Sequence, residues 1–287
     1  MENNMHQSRD DKFIPMTSFS SGKGKEVRED VYYYTNQIVN FAMVGTAQHW
    51  VLVDAGMPKS GDEIISVAEN RFGKGNKPAA IVLTHGHFDH IGGIVKLVEE
   101  WAVPVYAHTL EFPFLTGQES YAEPDASVEG GVLAKISSIY PHEPANISGA
   151  LRSLPADGSV PEMEGWRWIH TPGHTPGHVS LFRDSDRTLI AGDAFITVKQ
   201  DSFYKVLVQK AEVQGPPRYL TTDWTSARLS VKKLEALKPQ LAITGHGPAM
   251  EGRELNDGLS RLVQEFDRIA LPDHGKYVKD RDKTTDS

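Results

Sequence analysis

Apolar residues fall along this chain in short β-branched runs that alternate with helical periods, a pattern that predicts an α/β fold. Ile38 to Val44 and Trp50 to Val53 read as paired strands, the second ended by Asp54-Ala55-Gly56, and Ile64 to Arg71 reads as a helix. Ala79 to Leu83 reads as a buried strand, and Ile91, Ile94, Val95 and Val98 share one face of a helix that begins at Asp89-His90. Strands follow at Pro104 to Ala107, Trp166 to His170, Val179 to Phe182, Thr188 to Ala191 and Leu241 to Thr244. Helices are expected at about Thr225 to Leu237 and along the stripe Leu255, Leu259, Leu262, Val263, Phe266 and Ile269.

The stretch His108 to Gly165 breaks this alternation. It is rich in Pro, Glu and Gly, carries Phe112, Phe114, Tyr121 and Tyr140, and has one helical period near Val132 to Ile139. An insertion of that size is expected to form a lid or a pocket wall, with a surface excursion or dimer contact as the alternative. Residues 1–30 read as a disordered N-terminal segment, 31–272 as a single domain holding the insertion at about 108–165, and 273–287 as a mobile tail.

Composition narrows the classes of function. With 287 residues, 39% hydrophobic and 24% charged, the chain can bury one sizeable core. A formal charge of −8 and a pI near 5.8 leave no basic surface for nucleic acid or an anionic membrane, so a small-molecule substrate is expected, with a homodimer as a further option. No apolar stretch approaches the roughly 20 residues that span a bilayer, and the first residues lack the apolar core of a secretion signal. A cytoplasmic location is the resulting expectation. The absence of cysteine excludes disulfides, thiolate metal ligands and a cysteine nucleophile.

The densest chemistry is Thr84-His85-Gly86-His87-Phe88-Asp89-His90, directly after a predicted strand. Imidazole and carboxylate at this density suit a metal such as zinc. Residues two apart in an extended turn point the same way, so His85 and His87 can grip one ion, while Asp89 and His90, where the chain bends into the helix, face a second. His174 in Thr171-Pro172-Gly173-His174, Asp193 in Ala191-Gly192-Asp193 and His246 in Gly245-His246-Gly247 each follow a predicted strand and add donors of the same kind.

These seven residues, in this order, resemble the metallo-β-lactamase superfamily, and the resemblance extends roughly from Tyr32 to Leu271. It implies a four-layer αββα sandwich. It also implies that His85, His87 and His174 hold one divalent ion, that Asp89, His90 and His246 hold another, and that Asp193 bridges them. Two ions per chain are expected, zinc by default with iron or manganese as alternatives. With two aspartates and a shared hydroxide such a centre keeps a charge of about +1, which favours a developing oxyanion. The ions activate water at neutral pH, and Asp89 is expected to act as general acid/base in addition to ligand. Asp54 and His178 are expected to support the ligands through hydrogen bonds, Asp54 with a turn-forming role as the alternative.

Family members that cleave β-lactams generally lack the bridging aspartate, whereas thioesterases, lactonases and phosphodiesterases have it. Thioesterases similar to glyoxalase II carry a helical domain after the last histidine, and tRNA-processing members need a basic arm. The resemblance therefore points to hydrolysis of a lactone, ester or related acyl bond, leaning to a lactonase of the acyl-homoserine-lactone type. A thioesterase resembling glyoxalase II and a mononuclear-iron oxidoreductase resembling the persulfide dioxygenases are the alternatives. Lactonases of this kind commonly place a tyrosine three residues after the bridging aspartate; here Ile196 stands there, after Phe195, and Tyr204 is the candidate replacement. Phe195, Ile196 and Tyr204 are the expected substrate-pocket residues.

Overall fold

Strands that are apolar on both faces need cover on both faces. The structure is a computed structural model that describes residues 5–7, 18, 20–128, 145–198 and 211–278. Its first seven strands, β1 (Lys23–Arg28), β2 (Val31–Asn36), β3 (Val39–Thr46), β4 (His49–Val53), β5 (Ala80–Val82), β6 (Val105–Ala107) and β7 (Leu151–Ser153), form one sheet in chain order. Pairing is antiparallel up to β4 and parallel from β4 to β7. The chain continues with β8 (Trp166–His170), β9 (Val179–Arg183), β10 (Thr188–Gly192), β11 (Ile196–Val198), β12 (Ala211–Gln214), β13 (Leu241–Thr244) and β14 (Met250–Glu251). Of these, β14-β13-β10-β9-β8 build a second sheet, with β10 and β13 parallel, and β11 and β12 pair as a ribbon.

The period-two alternation of each strand decides which layer it meets. Phe41, Met43, Trp50, Leu52 and Ile81 pack on one side against α1 (Gly61–Phe72), with α2 (Phe88–Ile91) and α3 (Ile94–Trp101) completing that layer through Ile91, Ile94, Leu97 and Trp101. The residues between them, Ala42, Val44, Val51, Val53, Ala80 and Val82, turn the other way and meet Val179, Leu181, Ile190 and Ile243 of the second sheet. On the far side of that sheet Phe182, Leu189, Ala191 and Ala242 meet Val231, Leu234, Leu255, Leu259 and Leu262. Those last residues lie on helices Trp224–Ala236 and Gly252–Gln264. The layers run helix, sheet, sheet, helix, so the expected αββα sandwich is what forms.

The expected helix from Asp89 to Val98 is broken in two at Gly92-Gly93. The amides of Gly92 and Gly93 donate to the carbonyls of Gly56 and Ala55, 2.8 Å each, and a Cβ at Gly92 would lie 2.1 Å from the Met57 carbonyl carbon. This close approach pins the loop after β4 against the start of α3.

Three expectations need correction. Lys23–Arg28, inside the segment read as disordered, is an edge strand antiparallel to β2. It is mostly exposed, so it has no apolar alternation to announce it. The insertion is partly sheet, because Leu151–Ser153 joins β6 in parallel. The start of the tail is docked, since the Lys276 amide donates to Asp125 Oδ2 and Tyr277 Oη donates to the Glu123 carbonyl at 2.8 Å. The helix expected at Val132 to Ile139, Tyr140 and the rest of the tail lie outside the described residues. No helix among the described residues is long and apolar enough to cross a membrane.

Candidate metal centre

Every expected ligand stands just past a strand or at the start of a helix. His85 and His87 follow β5, Asp89 and His90 lie in α2, His174 lies between β8 and β9, Asp193 follows β10 and His246 follows β13. Because β4 and β5 run parallel, as do β10 and β13, the loops after their carboxyl ends gather at one edge of the sandwich. All seven side chains are buried, between 0 and 5% exposed.

Their donor atoms converge in three groups: His85, His87 and His174; His85, His90 and Asp193; and Asp89, His90 and His246, each within 4.8 Å. His87 Nδ1 lies 2.9 Å from His174 Nε2. Asp193 Oδ2 lies 3.4 Å from His174 Nε2, 3.6 Å from His90 Nε2 and 3.3 Å from His246 Nε2, so it reaches both the first group and the last. His246 Nε2 is also 3.3 Å from Asp89 Oδ2.

The donor set fits metal ions on direct structural grounds. His85 Nε2, His90 Nε2, Asp89 Oδ1 and both carboxylate oxygens of Asp193 are buried without a hydrogen-bond partner among the described residues. Buried polar atoms are otherwise satisfied almost without exception, so a cluster of lone pairs aimed at a common centre signals a cation.

In four of the five histidines the opposite ring nitrogen is engaged, which fixes those tautomers. His90 Nδ1 donates to Asp54 Oδ2 at 2.8 Å, and Thr84 Oγ1 donates to the same oxygen at 2.8 Å. That leaves the threonine oxygen to accept from His85 Nδ1 at 3.1 Å. Thr221 Oγ1 donates to the Pro217 carbonyl and therefore accepts from His174 Nδ1 at 3.1 Å. His246 Nδ1 donates to the Ile38 carbonyl at 3.0 Å. Each of these four rings thus turns Nε2 inward, the arrangement that metal-bound imidazoles require.

Asp54 has φ 64°, so it both shapes the turn after β4 and supports two histidines. His178 makes a hydrogen bond to a candidate ligand: its Nε2 accepts the Asp193 amide at 2.9 Å, and its Nδ1 bonds Thr171 Oγ1 at 2.9 Å. It holds Asp193 by the backbone.

Burial and neighbouring charge divide the titrating groups in metal-free protein. Burial drives His85 and His174 well below the usual histidine range and His87 to about 4. His178 falls to about 3, again chiefly through burial. For His246 burial opposes charging, yet the Asp193 and Asp89 carboxylates raise it to about 10, and for His90 they and Asp54 win in the same way. Both rings therefore carry a proton at pH 7.5 until metal displaces it. Calorimetric metal titration in buffers of different ionisation enthalpy should show about two protons released per chain, fewer as the pH approaches that of His246. Release of none would show that the carboxylates do not hold these rings charged.

Of the expected pocket residues, Phe195 is corrected: it is 0% exposed in the core beside Trp224 and Phe266. Ile196 is buried in β11 opposite Gln214, and Tyr204 lies outside the described residues. Sequence reasoning missed Thr84, Thr221 and Asn40. Asn40 Nδ2 donates to the carbonyls of Thr244 and Gly247, at 2.8 and 2.6 Å, and so brackets His246. Its signal was available, because it is the one polar residue in the apolar run Ile38 to Val44. Nothing local marks the threonines.

Comparison with known proteins agrees with this geometry. A family model described as the metallo-beta-lactamase superfamily matches residues 34–246. The chain is 47% identical over 264 residues to the probable metallo-hydrolase YflN of Bacillus subtilis (strain 168), covering 90% of this chain and 99% of that protein. It is 32% identical over 196 residues to the probable metallo-hydrolase YybB of the same organism, covering 68% and 74%. Among solved structures, TTHA1623 in a di-iron-bound form aligns with a TM-score of 0.51 and 26% identity, covering 74% of this chain and 89% of that one. A B3 metallo-beta-lactamase with an active-site glutamic acid aligns at 0.58 and 18% identity, covering 86% and 90%, a likeness of fold alone.

Proposed function

The chain belongs to the metallo-beta-lactamase superfamily, and from that premise we propose that it is a dinuclear metal-dependent hydrolase of a lactone, ester or related acyl bond, leaning to lactones. The observation that carries the two-ion reading is Asp193, whose Oδ2 lies within 3.6 Å of histidine nitrogens from both outer groups. His85, His87 and His174 would hold one ion, and Asp89, His90 and His246 the other. The donor chemistry favours zinc. The di-iron form of TTHA1623 supports the count and makes iron the first alternative.

When bound, the ions supply Lewis acidity, polarising the acyl carbonyl and making water a nucleophile near neutral pH. The chain's own groups do the rest. Asp54, Thr84, Thr221 and the Ile38 carbonyl lock four rings in one orientation, so no reorganisation is needed during reaction. Asp89 keeps Oδ1 without a hydrogen bond while Oδ2 faces His246. The Asp89 carboxylate would take the proton of the attacking water and return it to the leaving oxygen as the ring C–O bond breaks, giving a hydroxy acid.

The test is a hydrolysis panel of lactones, simple esters, thioesters, phosphodiesters and a β-lactam on metal-analysed protein. Lactones should turn over fastest, with about two ions per chain. Faster cleavage of a thioester or phosphodiester would overturn the lean to lactones. One iron per chain with oxygen consumption would overturn the hydrolase reading itself.

A further inference from the structure

Glu111 lies in the insertion, outside every motif that carries a ligand, and is 0% exposed. Its carboxylate nevertheless joins both histidine loops. Oε1 accepts from Thr175 Oγ1 at 2.8 Å and from the Gly177 amide at 2.7 Å, in the loop that holds His174. Oε2 accepts from the Gly86 amide at 2.9 Å, between His85 and His87, and from the Tyr121 hydroxyl. Tyr121 in turn packs at a tilt of 59° against the His87 ring, centroids 4.5 Å apart, and is stacked on Phe114 at 3.9 Å.

The glycines of the two motifs are cut to this fit. A Cβ at Gly177 would lie 2.7 Å from Glu111 Oε1, and one at Gly86 would lie 2.6 Å from the Tyr121 hydroxyl. Four donors converging on one buried carboxylate use its full accepting capacity, a degree of satisfaction that specifies a single geometry. Among the described residues, the loop contacts of Glu111 are Gly86, between His85 and His87, Thr175, next to His174, and Gly177 farther along the same loop; none is next to Asp89, His90 or His246.

From this asymmetry we infer that Glu111, assisted by Tyr121, is a positioning residue for one ion alone, setting the spacing of the His85-Gly86-His87 loop against the His174 loop. The inference rests on the metal reading of the site. It also gives part of the insertion a task other than that of a lid, since the segment acts as a strut beneath the ligands.

Full-length Glu111→Gln and Tyr121→Phe, stripped and then titrated with cobalt(II), provide the test. A glutamine has one accepting oxygen, so its NH2 group must face donors on the other side. Glu111→Gln should weaken one of the two ions by about 10- to 100-fold and alter the visible cobalt spectrum of that ion, leaving the other ion's affinity unchanged. Tyr121→Phe, which keeps the ring against His87, should give a smaller loss at the same ion. Unchanged affinities, or equal weakening of both ions alongside a lowered melting temperature of the metal-free protein, would overturn the assignment. If Glu111→Gln fails to fold, Tyr121→Phe decides by the same criterion. Wild-type protein that takes up no cobalt would instead overturn the metal reading beneath it.

Discussion

Stripping the metal with a chelator is expected to abolish hydrolysis and to lower the melting temperature by on the order of 10 °C, with the secondary structure retained. An ion present at about a thousand times its dissociation constant stabilises a site by ~4 kcal/mol, and each kcal/mol moves the melting point of a chain this size by about 2 °C. Folding survives because Asp89 and Asp193 do not lose all compensation: in metal-free protein they face protonated His90 and His246. That substitute is pH-dependent. His246 is raised from 6.5 in the unfolded chain to about 10, so its contribution is complete below the lower value and lost as pH rises through the upper one. The gap in melting temperature between loaded and metal-free protein should therefore widen between pH 6.5 and about 10. A scanning fluorimetry series across that range checks it, and a constant gap, or full turnover in chelated protein, would remove the ions from both stability and chemistry.

Asp89→Asn is expected to reduce turnover by a factor on the order of 100 or more while keeping the fold and most of the metal. Asparagine has nearly the same shape and can still offer Oδ1, so the buried volume in α2 is undisturbed. What disappears is the ability to hold a proton between the attacking water and the leaving oxygen. Metal content and circular dichroism measured beside kcat separate this from simple loss of an ion. If kcat stays at the wild-type level, Asp89 is a ligand and nothing more.

Most candidate ligands were legible because His85 to His90, Asp193 and His246 sit in short motifs just after runs buried on both faces, a strong local signal, while His174 follows the half-buried Trp166–His170. The supporting groups were legible only where one residue did two things. Asp54 showed as a turn former, and its hydrogen bonds to Thr84 and His90 follow from the same turn. Glu111 carried no such signature, and the lone polar Asn40 in its apolar run did not reveal its partners, because what both hold is distant in the chain: 64 residues separate Glu111 from Thr175, and 204 separate Asn40 from Thr244. Phe195 failed for the opposite reason. It was placed by its position beside Ile196, but Asp193 to Phe195 form the turn between β10 and β11, where strand alternation does not apply, and Phe195 packs into the core covered by helices.

Both outer donor groups draw on both sheets: His85 and His87 against His174, and Asp89 and His90 against His246. With the two proposed ions in place, parting the two halves of the sandwich from that edge would require both to leave first. Unfolding then becomes a question of rate as much as of equilibrium, since ion release stands at the start of the route. The loaded protein should unfold at a speed set by how fast its ions escape, persisting under conditions in which its metal-free form has already come apart.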